Sequence, residues 1–400
     1  MSLSGANHEQ ELPDLPEEVE TALYEILLDR PPTQQPELLA ELCRNHPEVA
    51  GAIRARAGMM RTADRALAQA RKPLAESPLP EQIAGYRIEA LLGEGGFGTV
   101  YRAKQSTPVE RVVALKVLHP LRLDERSQWR FQAERQVLAR MQHRNIAQIF
   151  DAGTTVDGLH YFAMELVDGL PITAWCDRHR LHLKARIHLF VDVCAAIQHA
   201  HQRGVVHRDL TPNNVLVKDE GGAPVAKVID FGVSKTLQTD GSSTFATRDG
   251  AMIGTPGYMS PEQAAGEPID TRTDVYALGV LLFELLTGEL PYPRHALESC
   301  GQVELARLTS EQEPRRLTTA ACETRHGLTS LAEQRSAQPA QLMRDLRSDL
   351  QWIVRKALAR HMDHRYGSVG ELLADVERYR EALPVSAREP QLVYLLRRFV

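Results

Sequence analysis

A change of hydrophobic pattern part-way along the chain does most to limit its fold. From Gly85 onward, short runs rich in β-branched and aromatic residues predict strands. Beyond Pro171 the spacing of apolar residues is helical instead. A strand-rich part followed by a helix-rich part predicts an α+β architecture in two lobes. The predicted strands lie at 86–92, 99–103, 111–118 and within 146–166, and the predicted helices at 129–141, 187–200, 275–286 and 346–358.

Three further segments complete the predicted organisation. Residues 1–80 show short helical patterns between proline clusters, which indicate a helical N-terminal extension and linker. Residues 294–340 are polar and predict a loop with one or two short helices. Residues 383–400 combine apolar and basic side chains, so we expect a basic, amphipathic C-terminal tail.

Charge and cysteine content argue against several classes of protein. The 400 residues carry 47 Lys plus Arg against 52 Asp plus Glu, a formal net charge of −5, so we do not expect a nucleic-acid partner. The five cysteines are irregularly spaced, unlike a disulfide framework or a zinc site.

The sequence also bears on membrane association. The first twenty residues contain acids but no Lys or Arg, the reverse of a signal peptide. No apolar stretch reaches the ~20 residues that span a bilayer. We therefore expect a cytoplasmic protein, or the cytoplasmic part of a membrane-anchored one if the native chain continues past residue 400.

Three glycines lie between two predicted strands. Gly93, Gly95 and Gly98 have strand-like sequence on both sides, so we expect them to cap a hairpin. A dinucleotide-binding fold would instead require a helix after the glycines. Glycine lets the backbone approach a phosphate and direct its amides at the oxygens. A tight turn that binds nothing is the alternative interpretation.

A lysine and a glutamate follow in partly apolar surroundings. Lys116 lies in the strand pattern 111–118, where a lysine either faces water at an edge or needs a charged partner. Glu134, in the helical pattern 129–141, is the candidate partner. A lysine held in this way can grip the phosphates of a nucleotide. The alternative for Glu134 is an exposed helix face shared with neighbouring arginines.

Two carboxylates and an amide follow in the helix-rich part of the sequence. Asp209 and Asn214 belong to one loop pattern that begins at His207, and Asp230 precedes Phe231 and a glycine. Phosphoryl transfer to a hydroxyl requires a carboxylate that orients the hydroxyl and takes its proton. Mg²⁺ prefers hard oxygen ligands. We therefore predict that Asp209 is catalytic and that Asn214 and Asp230 are metal ligands.

Over about residues 86–382 the sequence resembles the eukaryotic-like (Hanks-type) Ser/Thr protein kinases of bacteria. Residues 254–262 resemble the end of this family's activation segment, and residues 274–279 resemble its central buried helix. The resemblance implies a β-rich N-lobe at about 86–167 and a helical C-lobe at about 168–382. It also implies an ion pair between Glu262 and Arg365.

The resemblance implies further site residues around the adenine of ATP. Met164 would be the gatekeeper, and Glu165 to Val167 the hinge that reads adenine. Val100, Ala114 and Leu216 would pack on the base. A second apolar stack, formed by Leu138, Ile149, His207 and Phe231, would hold the active state.

The same resemblance implies the reaction, the cofactors and the partners. ATP and Mg²⁺ would be the cofactors, with Lys116 steadied by Glu134 and the glycine loop covering the phosphates. Protein Ser/Thr hydroxyls would be the acceptors, and self-association would allow autophosphorylation between copies. Arg208, together with Lys235, implies regulation by a phosphorylated activation loop. The candidate acceptors in that loop are Ser242, Ser243, Thr244 and Thr247, with Thr244 or Thr247 favoured.

One position departs from the family pattern. Ser/Thr kinases carry a lysine two residues after the catalytic aspartate, where this chain has Thr211. Loss of one donor aimed at developing charge costs about 2.7–4 kcal/mol of transition-state stabilisation. A weakly active kinase or a nucleotide-binding pseudokinase scaffold is therefore the alternative function. A small-molecule phosphotransferase is a third hypothesis, which the activation segment disfavours.

Overall fold

The computed structural model describes residues 19, 35–47, 49–51, 53, 79–95, 98–119, 141–231, 255–298, 301–324 and 327–388. The chain divides into two compact units, residues 1–79 and 80–400. In the first unit, helix α1 (Gln35–Asn45) buries Leu42 and Cys43. The thiol of Cys43 donates to the carbonyl of Ala50 at 3.8 Å, which ties the end of the helix to the chain that follows.

The second unit begins with a six-stranded antiparallel sheet in the order β1-β2-β3-β4-β6-β5. Each strand run predicted between residues 86 and 166 forms part of this sheet, whereas the predicted helix at 129–141 lies outside the described residues apart from Met141. The strands are β1 (Gln82–Ile83), β2 (Tyr86–Gly95), β3 (Gly98–Gln105), β4 (Arg111–Leu118), β5 (Ile149–Thr154) and β6 (His160–Glu165).

The two faces of strand β4 belong to different apolar clusters. Val113, Leu115 and Val117 pack in one cluster with tyrosines of the neighbouring strands. Ala114 and Leu118 belong instead to the main core of the helix-rich part. Because side chains alternate across a strand, Lys116 lies on the same face as Ala114 and Leu118. This alternation directs the lysine toward the boundary between sheet and helices.

A second sheet lies within the part of the chain predicted to be mostly helical. Strands β7 (Leu170–Pro171), β8 (Val215–Glu220) and β9 (Ala223–Val228) form it in that order. Gly221 and Gly222 join β8 to β9, and both have positive φ, as the first-choice two-residue hairpin turn requires. Sequence analysis missed this hairpin although the two adjacent glycines are a hairpin signal.

Twelve α-helices have both of their ends within the described residues, α1 and eleven in the second unit. The prediction of a loop with one or two short helices at 294–340 is wrong, because four helices lie within that range and a fifth begins there. The eleven are α2 (Ile172–Arg178), α3 (Leu183–His201), α4 (Pro261–Ala265), α5 (Arg272–Thr287), α6 (Arg294–Glu298), α7 (Gln302–Glu311), α8 (Leu317–Cys322), α9 (Gly327–Gln334), α10 (Pro339–Leu346), α11 (Asp349–Ala357) and α12 (Val369–Arg380).

Helix α5 is the centre of the helical lobe. Most of its side chains are buried, including the charged Asp274 at its start, and such an all-round apolar helix is stable only inside a core. Gly279 allows close packing here, since a Cβ at this position would lie 2.9 Å from the Cβ of Ala357 on α11. The strand-rich and helix-rich parts thus confirm the predicted two-lobed α+β architecture.

A buried ion pair joins α4 to the segment before α12. Arg365 donates to both carboxylate oxygens of Glu262 at 2.8 Å, and neither residue is more than 4% exposed. Burial raises the pKa of Glu262, but hydrogen bonds and the charge of Arg365 outweigh it, so the pKa lies below its usual value. Arg365 also donates to the carbonyls of Ala359 and Arg360. The pair implied by the family resemblance is therefore present.

We expect Arg365→Met to cost about 3–5 kcal/mol of unfolding free energy, because Glu262 is left as a buried, uncompensated charge. Urea unfolding followed by circular dichroism measures this change. The matched control is Arg307→Met, which removes an exposed, solvent-screened pair with Glu311 and should cost far less. Equal costs for the two variants would contradict the role of the buried pair.

Candidate active site

The predicted glycine hairpin is present at the end of strands β2 and β3. Gly95 pairs with Gly98, and Gly93 pairs with Val100. A Cβ at Gly98 would lie 2.3 Å from the carbonyl oxygen of Val117, so only glycine allows β3 to lie this close to β4. A Cβ at Gly93 or at Gly95 would have no described neighbouring atom within 4 Å. The described part of the hairpin therefore leaves room for a ligand beside these two glycines.

The residues expected around adenine lie in matching cross-strand rows of the sheet. Ala114 pairs with Met164, and Val100 pairs with Lys116 on the neighbouring strands. Paired residues in an antiparallel sheet point to the same face, so these four side chains share the face that contains Lys116. Leu216 lies on β8, and its strand neighbours Val215 and Val217 are buried in the same core. Val167, which is also buried, follows the end of β6.

Lys116 and Asp230 form an ion pair across this boundary. The Nζ of Lys116 lies 2.9 Å from Oδ2 of Asp230, and both side chains are largely buried. Asp230 has φ of 59°, a left-handed conformation that non-glycine residues adopt at some energetic cost. The structure thus brings together two predicted site residues that are far apart in sequence. Glu134, the predicted partner of Lys116, lies outside the described residues.

The carboxylate of Asp274 fixes the backbone of the loop that contains Asp209. The Asp274 carboxylate accepts hydrogen bonds from the backbone N–H groups of His207 and Arg208 at 2.7 and 2.9 Å. The Nε2 of His201 lies 2.7 Å from the same carboxylate. Arg208 has φ of 65°, so these bonds hold the backbone in a left-handed conformation. Asp209 is the next residue, and its direction is set by this geometry.

The ring of His207 joins the Asp209 loop to the segment that carries Asp230. Its Nδ1 accepts from the N–H of Asp209 at 3.3 Å, and its Nε2 donates to the carbonyl of Ile229 at 3.1 Å. Both bonds require a neutral ring, and burial lowers the pKa of His207 below its usual value. The ring also packs on Phe231, with centroids 4.8 Å apart. Two members of the predicted second stack are therefore in contact.

Asn214 links the same two segments from the other side. Its side-chain Nδ2 donates to the backbone carbonyl of Asp209 at 2.7 Å. Its backbone carbonyl accepts from the N–H of Ile229 at 2.9 Å. Because the amide nitrogen is engaged, Oδ1 is the atom that remains as a ligand. Asn214 thus bonds the Asp209 loop to Ile229, the residue directly before Asp230. Ile149, a further member of the predicted second stack, is partly buried and packs against the main core.

A pocket opens beside Asp209. The side chain of Gln263 forms part of its wall and donates to the carbonyl of Arg208 at 2.8 Å, which ties α4 to the Asp209 loop. Thr255 and Tyr258 enter the pocket from the segment before α4, so they lie near the predicted catalytic carboxylate. Its lining comprises Arg208, Asp209, Leu210, Thr255, Tyr258, Met259, Gln263, Asp274 and Ala277.

Comparison with known proteins agrees with this geometry. The protein kinase domain family matches residues 86–375. The chain belongs to the protein kinase family. Two relatives from Myxococcus xanthus are similar to it, namely the serine/threonine-protein kinases pkn3, 42% identical over 57% of this chain, and Pkn1, 36% identical over 79%.

The similarity covers only part of these relatives, because the chain matches 41% of pkn3 and 40% of Pkn1. Among solved structures, the kinase domain of Mycobacterium tuberculosis PknI has a TM-score of 0.53 and 27% identity. That match covers 74% of this chain and 97% of the PknI chain. The relatives place the kinase among the bacterial Ser/Thr kinases, as the sequence motifs predicted.

Sequence analysis missed three functional contacts of this kinase. The carboxylate of Asp274 was identified only as part of a buried helix, yet an acid at the start of an apolar helix is a signal for a buried hydrogen-bond acceptor. Neither the bond from Gln263 to the Asp209 loop nor the contact between Tyr258 and Glu284 was predicted.

Several predicted residues lie outside the part of the chain that the structure describes. They are Leu138 and the loop residues Lys235, Ser242, Ser243, Thr244 and Thr247. Within the described ranges of the kinase, no helix is long and apolar enough to cross a membrane.

Glu284 on α5 supports the wall of the pocket. It accepts a hydrogen bond from the hydroxyl of Tyr258 and lies 3.1 Å from Arg294. Burial raises the pKa of Glu284 to about 7; the charge of Arg294 opposes the shift, while Asp177 and Glu289 add to it. Between pH 4.5 and 7 the folded state therefore holds a proton that the unfolded state has released.

Because the pKa of Glu284 is higher in the folded state than in the unfolded state, the stability of the protein depends on pH. The contribution of Glu284 to the unfolding free energy falls as the pH rises from about 4.5 to 7. We expect Glu284→Gln to gain on the order of 2 kcal/mol relative to wild type between pH 5 and 8. Urea unfolding across this range measures the gain, and the exposed control Glu311→Gln should show none. A constant difference between Glu284→Gln and wild type would contradict the raised pKa.

Proposed function

We propose that this chain is an ATP-dependent serine/threonine protein kinase that transfers the γ-phosphoryl group to protein hydroxyls. The observation that carries the proposal is the convergence of Lys116, Asp230, Asn214 and Asp209 at one cleft between the lobes. Lys116 supplies a cation for the phosphates, and Asp230 and Asn214 supply oxygen ligands for a metal. The carboxylate of Asp209 lies beside an open pocket. We assign the kinase domain to residues 86–382, preceded by a helical extension at 1–80 and followed by a basic tail at 383–400.

The residues at the cleft fit ATP and Mg²⁺. The carboxylate of Asp230 and the amide Oδ1 of Asn214 are hard oxygen donors of the kind that Mg²⁺ prefers. When bound, the metal neutralises charge on the phosphate oxygens. Small or apolar side chains share the sheet face that would cover adenine, and the open space beside Gly93 and Gly95 suits phosphates. The proposed nucleotide site comprises Gly93, Gly95, Gly98, Val100, Ala114, Lys116, Met164, Glu165, Val167 and Leu216.

Each remaining residue has a role that follows from its position. Lys116, with Glu134 as its proposed partner, holds the phosphates in line with the acceptor. Asp209 orients the acceptor hydroxyl and takes its proton. Because the transition state of phosphoryl transfer is loose, positioning and charge neutralisation supply most of the rate enhancement. The neutral ring of His207 and the carboxylate of Asp274 serve this purpose by fixing Asp209.

The proposed acceptors are Ser and Thr residues of proteins, including a second copy of this chain. A phosphate at Thr244 or Thr247 would form charge-assisted hydrogen bonds with Arg208 and Lys235 and order the activation loop. Thr255, which lines the same pocket as Asp209, would help to position the acceptor. We propose the cytoplasm as the site of this reaction.

Thr211 stands where the family pattern has a lysine, so either turnover is slower or another cation compensates. It is 5% exposed, and its carbonyl accepts the N–H of Asn214, so its backbone role in the loop is retained. No basic residue lies between Asp209 and Lys218 in the sequence. One donor to the transferred phosphate is therefore missing, and Lys235 or the metal would compensate for it.

We expect Lys116→Ala or Asp230→Ala to lower kcat at least a hundredfold while the protein stays folded, since each removes charge that is aimed at the phosphates. Phosphate transfer from labelled ATP to a generic protein acceptor gives kcat, and circular dichroism reports folding. The matched controls are Lys184→Ala and Asp157→Ala, both at exposed positions away from the cleft, and both should keep wild-type activity.

Near-wild-type activity of either cleft variant would show that the site assignment is wrong. A wild-type protein that binds ATP but transfers no phosphate would instead support the pseudokinase alternative. Nucleotide binding, measured by calorimetry on the same samples, separates these two results.

A further inference from the structure

The side chain of Glu165 is held by two lysines from the second sheet. Lys227 on β9 contacts Oε2 of Glu165 at 2.9 Å, and Lys218 on β8 contacts Oε1 at 3.3 Å. Lys227 is only 8% exposed, and a lysine is almost never so buried unless it is paired. Lys218 also contacts Glu220 at 2.9 Å. Two lysines and two glutamates therefore form one charge-balanced cluster between β6 and the β8–β9 hairpin.

This cluster joins the end of β6 to the strand that leads to Asp230. Glu165 is the last residue of β6 and the first residue of the segment proposed to read adenine. Lys227 lies three residues before Asp230 on the continuous run from β9. The carboxylate is thus the link between the adenine end of the site and the strand that carries the proposed metal ligand.

Hydrogen bonds from the loop before β5 also hold Glu165 and β9. The N–H of Glu165 donates to the carbonyl of Gln148 at 2.8 Å, and the side-chain Nδ2 of Asn145 donates to the carbonyl of Ala226 at 2.8 Å. The N–H of Val228 in turn donates to the carbonyl of Asn145 at 2.8 Å. The loop before β5 is therefore bonded both to Glu165 and to β9, so the ion pair closes a ring of contacts. Loss of the ion pair would release the Glu165 side chain from β8 and β9, while the pairing of β6 with β4 and the bond to Gln148 remain.

We infer that Lys227, with Lys218, is a positioning residue for the nucleotide: it clamps the Glu165 side chain so that the hinge backbone is held at a fixed place for adenine. The inference rests on the proposed ATP-dependent function. Lys227 and Lys218 both contact the carboxylate of Glu165, whose backbone is proposed to face the base, and Lys218 also contacts Glu220. The phosphate-binding groups Lys116 and Asp230 are left unchanged, so the clamp acts on nucleotide binding rather than on phosphoryl transfer.

The test compares steady-state kinetics of Lys227→Met with wild type. Loss of binding energy common to ground and transition states raises KM without changing kcat, and we expect KM for ATP to rise about tenfold. The KM for the protein acceptor should not change. Lys227→Arg retains the charge and should restore most of the affinity for ATP. Lys184→Met, the same substitution at an exposed lysine of α3, should match wild type in both constants.

A double-mutant cycle tests whether the two side chains act as a unit. Glu165→Gln alone should raise KM for ATP, and adding Lys227→Met to it should cause little further change. Fully additive effects would overturn the inference, as would an unchanged KM for ATP in Lys227→Met. A variant with lower kcat and unchanged KM would show a merely structural role. If Lys227→Met does not fold, Glu165→Gln and Lys227→Arg carry the test.

The two proposals fail in distinguishable ways. If the wild-type chain transfers no phosphate, the proposed function fails, and the clamp is tested by the Kd of ATP measured with calorimetry on the same variants. A weaker Kd in Lys227→Met alone among the lysine variants would support the clamp even then. An unchanged Kd would overturn it.

Discussion

The buried carboxylate of Asp274 is the interaction on which the site depends. It accepts two backbone N–H groups and faces the imidazole of His201, so its desolvation is offset on several sides at once. Burial raises the pKa of Asp274, but hydrogen bonding to His201 and the nearby charges outweigh it, and the pKa lies below its usual value. An ionised acceptor at the start of the most buried helix can hold Arg208 in its left-handed conformation. Asp209 is presented to the cleft as a result.

From this anchor, neutral and charged contacts extend in two directions. Toward the sheet, the ring of His207 and the amide of Asn214 connect Asp209 with the strand that ends at Asp230, and Asp230 then reaches Lys116. Toward the helices, Gln263 bonds the same loop to α4, where the Glu262–Arg365 pair ties that helix to the rest of the lobe. The backbone of the Asp209 loop is therefore bonded both to the helices and to the strand that leads to Asp230.

Sequence reasoning succeeded where one local rule decided the structure. A short run rich in β-branched residues predicted β4, and the glycines predicted the hairpin that ends in Gly95 and Gly98. It failed for the helices between residues 294 and 346, because most of them are shorter than the window in which a helical period can be recognised. Several of them bury only one or two leucines, such as Leu317 and Leu342.

Contacts between distant segments could not be predicted in this way. The lysines that hold Glu165 come from two strands, and neither their spacing nor their charge distinguishes them from exposed lysines in the sequence. The position of Asp274 at the start of an apolar helix signals a buried acceptor, but its two donors, the N–H groups of His207 and Arg208, are identified only by the structure. Motifs predicted the groups proposed to react, whereas the contacts that hold these groups in place are seen only in the structure.

The most direct measurement is phosphosite mapping of the purified chain after incubation with Mg²⁺ and ATP, beside Asp209→Asn under the same conditions. If Asp209 orients an acceptor hydroxyl, intact-mass and peptide spectra will show phosphate on the wild-type chain alone, with sites among residues 242–255. Equal phosphate on both proteins would contradict the role of Asp209. No phosphate on the wild-type chain, and none on an added protein acceptor, would contradict the account of this cleft as a phosphoryl-transfer site.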